Sequence, residues 1–280
     1  MAAMSKLLSA DFARLKKDKV FWIGMIFMFV LGILSPVMNY IDMNRGGYEI
    51  PLESSFFVYA IYIGILLSAF CSLFVGTEYS DGTIRNKIVI GHGRIQVYFS
   101  HFLICAAAGL LMCAAYFLPA GIIGTCLLGF FQTDIQVILG LILCSVIMSL
   151  AFTAIFTMVA MLNQNKALVA VINMLGVFIL LFGAIYIRAK LYEPKVYEGY
   201  VYKDESGEIV EVEEEPNPNY LSGKKREVYT FLYDFIPTCQ SLQITGIEAV
   251  SPWKLAGYSA AITIVATGAG LFFFRKKDIK

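Results

Sequence analysis

The chain has 280 residues, 58% of them hydrophobic and only 15% charged, with a formal net charge of +1 and a mean hydropathy of +0.70. A soluble domain carries about 25% charged residues, so this composition excludes an ordinary water-soluble domain. The net charge says little about partners, because the charges fall in short clusters between long stretches without Asp, Glu, Lys or Arg.

The first element is a short one. Within residues 1–19, Leu8, Phe12 and Leu15 repeat at helical spacing, with Lys6, Asp11, Arg14 and Lys16 elsewhere. This reads as an amphipathic helix lying on the membrane surface; the alternative is a frayed basic tail. Six segments then meet the requirement of about 20 mostly apolar residues for crossing about 30 Å of hydrocarbon. They are 20–41, 55–76, 96–119 or slightly beyond, 135–162, 167–187 and 255–274, and none contains a charged Asp, Glu, Lys or Arg. The runs are apolar on all sides rather than alternating, which selects helices over barrel strands. The first is too long for a signal peptide and lacks a cleavage site. The expected fold is an all-α membrane protein of six transmembrane helices, one domain over 1–280.

Charge sets the orientation. Lys6, Arg14, Lys16, Lys17 and Lys19 precede the first span; Arg85, Lys87 and Arg94 separate the second and third; Lys166 separates the fourth and fifth; Arg275, Lys276, Lys277 and Lys280 follow the sixth. The alternate short loops hold only Arg45. Basic short loops face the cytoplasm, so both termini are expected there.

Residues 188–254 form the expected extracellular loop. Residues 196–203 and 208–213 are rich in Val, Ile and Tyr around a 204–207 turn, the pattern of a β-hairpin. The 213–219 stretch then breaks regular structure. Residues 224–235 could be helical, and 234–250 are apolar enough to re-enter the bilayer where protein satisfies the backbone. The six cysteines show no paired spacing and no His cluster, so neither a zinc site nor a disulfide framework is implied. A Cys126–Cys239 bridge is conceivable, since both are expected outside, but no spacing supports it.

No GxxxxGK[ST], HExxH, GxSxG or HxE…CxxC occurs. No catalytic residue, metal site, cofactor or nucleic-acid partner is therefore assigned. A Ser–His or Cys–His pair can be drawn through Ser100, Cys105 and His101, but such neighbours arise by chance, and geometry rather than adjacency identifies a triad. Asn173 is the deepest polar residue of the fifth span, placed for a hydrogen bond across the bundle or for a pathway. Tyr59, Tyr62, Phe70, Met174 and Phe178 give the spans flexible and flat side chains suited to an amphipathic cargo path, although each also suits simple packing or lipid contact.

Residues 74–100 are the informative cytoplasmic segment. Ser80 or Asp81 can cap a short helix on which Ile84 and Ile88 share a face beside Arg85 and Lys87, and Gly91 and Gly93 end it. Such a helix is either a lever for docking a soluble partner or a plain connection. Its wording, Glu78-Tyr79-x-x-Gly82-Thr83-Ile84-Arg85-Asn86-Lys87 with Gly91 and Arg94 following, resembles the permease subunits of type-2 ABC exporters. The Asn165-Lys166-Ala167 start of the fifth span and the closing FFFRKKDIK are similar to small bacterial members; His92 departs from the pattern. The resemblance implies an ATPase-coupling segment over 77–95 carried by Glu78, Tyr79, Gly82, Thr83, Ile84, Arg85, Asn86 and Lys87. It also implies a bacterial cytoplasmic-membrane location, two copies of a separate ABC ATPase holding ATP and Mg, and a second permease copy or paralogue. Amphipathic or antimicrobial peptides are the favoured cargo, as in permeases for bacitracin or lantibiotic resistance and for phenol-soluble modulins. A membrane sensor with a ligand-binding outer loop is the reading from another class, distinguished by the absence of an ATPase partner.

Overall fold

A computed structural model describes residues 2–203 and 209–278. The turn expected at 204–207, Glu208 and Lys280 lie outside the described residues. Helix α1 (Ala2–Leu15) leads into α2 (Lys19–Gly46), and the short α3 (Glu53–Phe56) runs into α4 (Tyr59–Ser80). Then come α5 (Thr83–Val89), α6 (Arg94–Leu128), α7 (Ile135–Leu162) and α8 (Lys166–Leu191). A ribbon of β1 (Val196–Tyr197), β2 (Tyr200–Lys203), β3 (Ile209–Val212) and β4 (Glu215–Pro216) follows, before α9 (Gly223–Phe235), α10 (Pro237–Thr245) and α11 (Pro252–Lys276).

Among the described residues six helical segments are long and apolar enough to cross a membrane, and they correspond in order to the six expected spans. The helices outrun the expected boundaries; α6 extends to Leu128 because the sequence stays apolar past the buried Pro119. Polar side chains fix several starts: Asp18 accepts from Phe21 N at 2.9 Å, and Asn165 accepts from Ala167 N at 3.0 Å and Leu168 N at 3.2 Å. The spans through α4, α6 and α7 have 61%, 56% and 61% of their most apolar stretch buried, against 28%, 22% and 28% for α2, α8 and α11. The first three are therefore the centre of the bundle. Around them α2 packs on α6, α8 on α4 and α11 on α7. At the α2–α6 crossing a Cβ on Gly32 would lie 2.6 Å from Tyr116 O, so only glycine permits that approach.

Both termini sit at one end of the bundle, because α1 packs on α6 and Arg94 at the start of α6 donates to carbonyls of Phe274, Arg275 and Lys277. This is called the termini end. The opposite, hairpin end carries the ribbon and the re-entrant pair α9–α10. The two ladders share one antiparallel register, Val196↔Pro216 through Lys203↔Ile209, so they form one interrupted hairpin. The re-entrant expectation also holds. Thr238 Oγ1 donates to Leu180 O at 2.9 Å, about three turns or roughly 16 Å before the end of α8. Residues Pro237–Ile244 are buried, and their polar groups are paired. Gln240 donates to Asp234 O at 2.7 Å and accepts from Ser259 at 2.6 Å, and Gln243 donates to Tyr233 O at 2.7 Å.

Two details correct the sequence reading. The buried residues of α1 are Leu7, Asp11 and Leu15; Leu15 is buried as expected, while Leu7 and Asp11 take the places expected for Leu8, which is half-buried, and Phe12, which is exposed. Asp11 is drawn inward by partners from other helices, described below. The Cys126–Cys239 bridge is not formed: all six cysteines are free, with Cys126 exposed and Cys239 buried.

Candidate coupling site

The segment after α4 folds back beneath the bundle at the termini end. Gly82 turns the chain with φ +69°, a conformation that strains any side chain, and opens α5. Gly91, at φ +102°, then redirects it toward α6. Ile84 is 0% exposed and belongs to the main core, and Ile88 is packed against that core. The outward surface of this turn is formed by Arg85 and Asn86 together with Val89 and Ile90, which are 77% and 79% exposed. The stripe expected to face a partner is thus the inward face, and the exposed apolar tip lies one or two residues further on.

Glu78 is also inside, at 2% exposure. The side chains of Arg14, Lys87 and His101 converge on it. Arg14 Nη1 donates to Oε1; Lys87 Nζ lies 3.0 Å from Oε1 and 2.8 Å from Oε2; His101 Nε2 lies 2.8 Å from Oε2. Asp11, equally buried, accepts from Lys87 Nζ at 2.8 Å and from Ser100 Oγ. Arg14 also donates to Phe74 O and lies 4.1 Å over the Phe74 ring. His101 is held at both nitrogens. Its Nδ1 is 2.7 Å from Val97 O, a pure acceptor, so Nδ1 carries a proton. Two carboxylates and their partners from α1, α4, α5 and α6 therefore form one buried network. Removing one member of such a network leaves an uncompensated charge and costs about 3–5 kcal/mol.

The surrounding contacts extend the clasp. Tyr79 OH donates to Met161 O in α7 and accepts from Lys277 Nζ at 3.1 Å, and that ammonium lies 4.4 Å from the Tyr79 ring. Burial holds the Lys277 ammonium down at about 8. Lys166 Nζ donates to Thr77 Oγ1 at 2.7 Å, joining the start of α8 to the end of α4. The structure therefore brings together Glu78, Tyr79, Ile84 and Lys87 inside this site, while Arg85 and Asn86 face outward and Gly82 and Thr83 form the turn.

The residues considered for a cargo path do not converge. Tyr59 and Phe70 are fully buried, Tyr59 OH donating to Ser145. Tyr62 rests against Phe27 with ring centroids 5.7 Å apart. Met174 and Phe178 lie on the exposed face of α8. Asn173 is buried and donates to Ser72 Oγ at 2.8 Å and Phe156 O at 3.3 Å, tying α8 to α4 and α7. It also borders an apolar recess of about 190 Å³ between α7, α8 and the tip of α10, closed by Pro237.

Sequence reasoning missed Asp11, Arg14, Ser100 and His101. His101 had a visible signal, being an ionisable side chain within an apolar span, where such groups are expensive and paired. The neighbours that suggested a nucleophile are used otherwise: Ser100 donates to Asp11, and His101 faces Val97 and Glu78. A family model described as ABC-2 family transporter protein matches residues 7–183, from within α1 through most of α8. No curated protein matches the chain.

Proposed function

We propose an export function for this chain, which belongs to the ABC-2 transporter family and is thereby a multi-pass membrane subunit of an ABC transporter. In this reading the termini end is cytoplasmic, as the basic short loops favour, and two copies of a separate ATPase subunit bind ATP and Mg beneath it. A second copy of the chain, or a paralogue, completes the complex. The exposed tip of Arg85, Asn86, Val89 and Ile90 docks in the ATPase, and Glu78, Tyr79, Gly82, Thr83, Ile84 and Lys87 hold that tip rigidly to the bundle. ATP binding biases the complex between inward-open and outward-open states through its differential affinity for the two.

The observation that carries this reading is the buried network on Glu78. It fastens α5 to α1, α4 and α6 at once, so a displacement of the tip moves three further helices with it. The proposed cargo is an amphipathic peptide, whose apolar side chains match the greasy wall of the recess beside Asn173. The test begins with purification in mild detergent, where a P-loop ATPase is expected to co-purify while the chain alone hydrolyses no ATP. Inverted vesicles holding both subunits should then accumulate a fluorescent amphipathic peptide only with ATP and Mg. Accumulation without nucleotide overturns the reading, and a co-purifying kinase in place of the ATPase transfers support to a sensor.

A further inference from the structure

The hairpin β1–β4 lies beyond the residues matched by the family model, so its role is read from its own chemistry. Its base is fixed. Asn217 is buried and donates from Nδ2 to Glu193 Oε2 and Pro194 O, both at 2.9 Å, and from its backbone to Lys195 O at 3.1 Å. Arg226 of α9 donates to Leu191 O at 3.2 Å beside it. Beyond this clamp every side chain of β2 is exposed. Tyr200 and Tyr202, 61% and 45% exposed, share a face with ring centroids 5.8 Å apart. The register sets Val212 and Val210 opposite them. A two-stranded hairpin is marginal by itself in water, and an exposed aromatic strand is a surface that gains stability when something covers it.

Charge decides what covers it. Residues 193–216 contain nine carboxylates and two lysines, Lys195 and Lys203. A second copy of the hairpin would bring the same excess against itself, and the negative potential of an anionic bilayer would repel it. A ligand that is both cationic and partly apolar is attracted by the carboxylates, stacks on the tyrosines and places Lys or Arg over their rings. We propose that the Tyr200–Tyr202 face captures a cationic amphipathic peptide, with Glu198, Glu213, Glu214 and Glu215, all exposed, supplying the counter-charge. The proposal rests on the export reading for placing the hairpin outside the cell, and it is independent of transport itself.

The experiment uses the full chain in neutral-lipid nanodiscs without an ATPase subunit. It is titrated with a fluorescent helical peptide of about 20 residues bearing about five lysines, and with the glutamate counterpart of that peptide, reading anisotropy. The lysine peptide is expected to bind and the glutamate peptide not to. Combined Glu213→Gln, Glu214→Gln and Glu215→Gln should weaken binding about tenfold and flatten its salt dependence. Combined Tyr200→Ser and Tyr202→Ser should weaken binding to a similar degree while keeping the salt dependence, and neither variant should move Tm. Equal binding of the two peptides, or unchanged affinity in both variants, overturns the proposal. So does binding to anionic vesicles, or self-association, that the tyrosine variant abolishes, since lipid or a second copy would then own the face. Placement is read separately by labelling Lys203→Cys, in a Cys126→Ser background, with an impermeant reagent on intact cells. Labelling from inside only refutes the orientation in the export reading, whereas outside labelling without peptide binding refutes the capture alone.

Discussion

At the termini end, Glu78 and Asp11 are enclosed by Arg14, Lys87 and His101 from three helices, whereas at the hairpin end Glu198, Glu213, Glu214 and Glu215 are exposed. The buried carboxylate of Glu53, at the hairpin end, is handled differently again. Glu53 accepts from Thr133 N at 2.7 Å, Thr133 Oγ1 at 2.6 Å and Gln132 N at 3.3 Å, with no cation in the set. Gln240 and Gln243 pin α10 through neutral hydrogen bonds. The contrast has a mechanical meaning. Opposite charges drawn from three helices resist separation in a low-dielectric interior, so they suit a joint that must carry force. Exposed unmatched charges resist nothing, but they attract.

The largest effect should come from breaking the joint. Glu78→Ala leaves Arg14 without its carboxylate and removes one of the two anions on Lys87, and it is expected to cost about 3–5 kcal/mol, read as a lower Tm in detergent. Glu213→Ala at the hairpin end should stay within about 0.5 kcal/mol, and a comparable loss there would erase the contrast between the ends. Ile84→Asp buries a carboxylate in the core and should cost about 3 kcal/mol or more, with poor folding in the membrane. A normal Tm for that variant would contradict its burial.

The neutral pins of the re-entrant pair should be weaker than the charged joint. Gln240→Leu orphans Ser259 and two carbonyls, at about 1–3 kcal/mol, and should raise hydrogen exchange in α10 while leaving α5 protected. The smallest effect is a pH dependence. Lys277 binds its proton less tightly when folded, at about 8 against an ordinary 10.5. Between those values the unfolded chain holds more protons, so the native state gains stability as pH rises through the window. Lys277→Met should flatten that rise in a Tm-versus-pH series, and an unchanged profile would place the ammonium in water.

The spans were legible because uniform apolarity over about 20 residues is a signal that needs no partner. The hairpin was legible from local Val, Ile and Tyr content, and the register then followed. The motif from Glu78 to Lys87 was legible as a string, but its geometry was not. Spacing put Ile84 and Ile88 on one face, and nothing in spacing says whether that face turns toward the bundle or away. The groups that enclose Glu78, namely Arg14 and His101, come from α1 and α6, which its neighbours in sequence do not reveal. Long-range pairing of this kind also changed the buried face of α1, since Asp11 follows Lys87 and Ser100 rather than the leucine stripe.

The proposed route of force runs from the exposed tip through the Glu78 network into α1, α4 and α6, and one pull-down tests it most directly. The combined Val89→Asp and Ile90→Asp variant changes only exposed side chains, so it should match the wild-type Tm yet fail to retain the ATPase subunit in mild detergent. Retention of the ATPase at the wild-type level, with the fold intact, would show that the tip is not the contact.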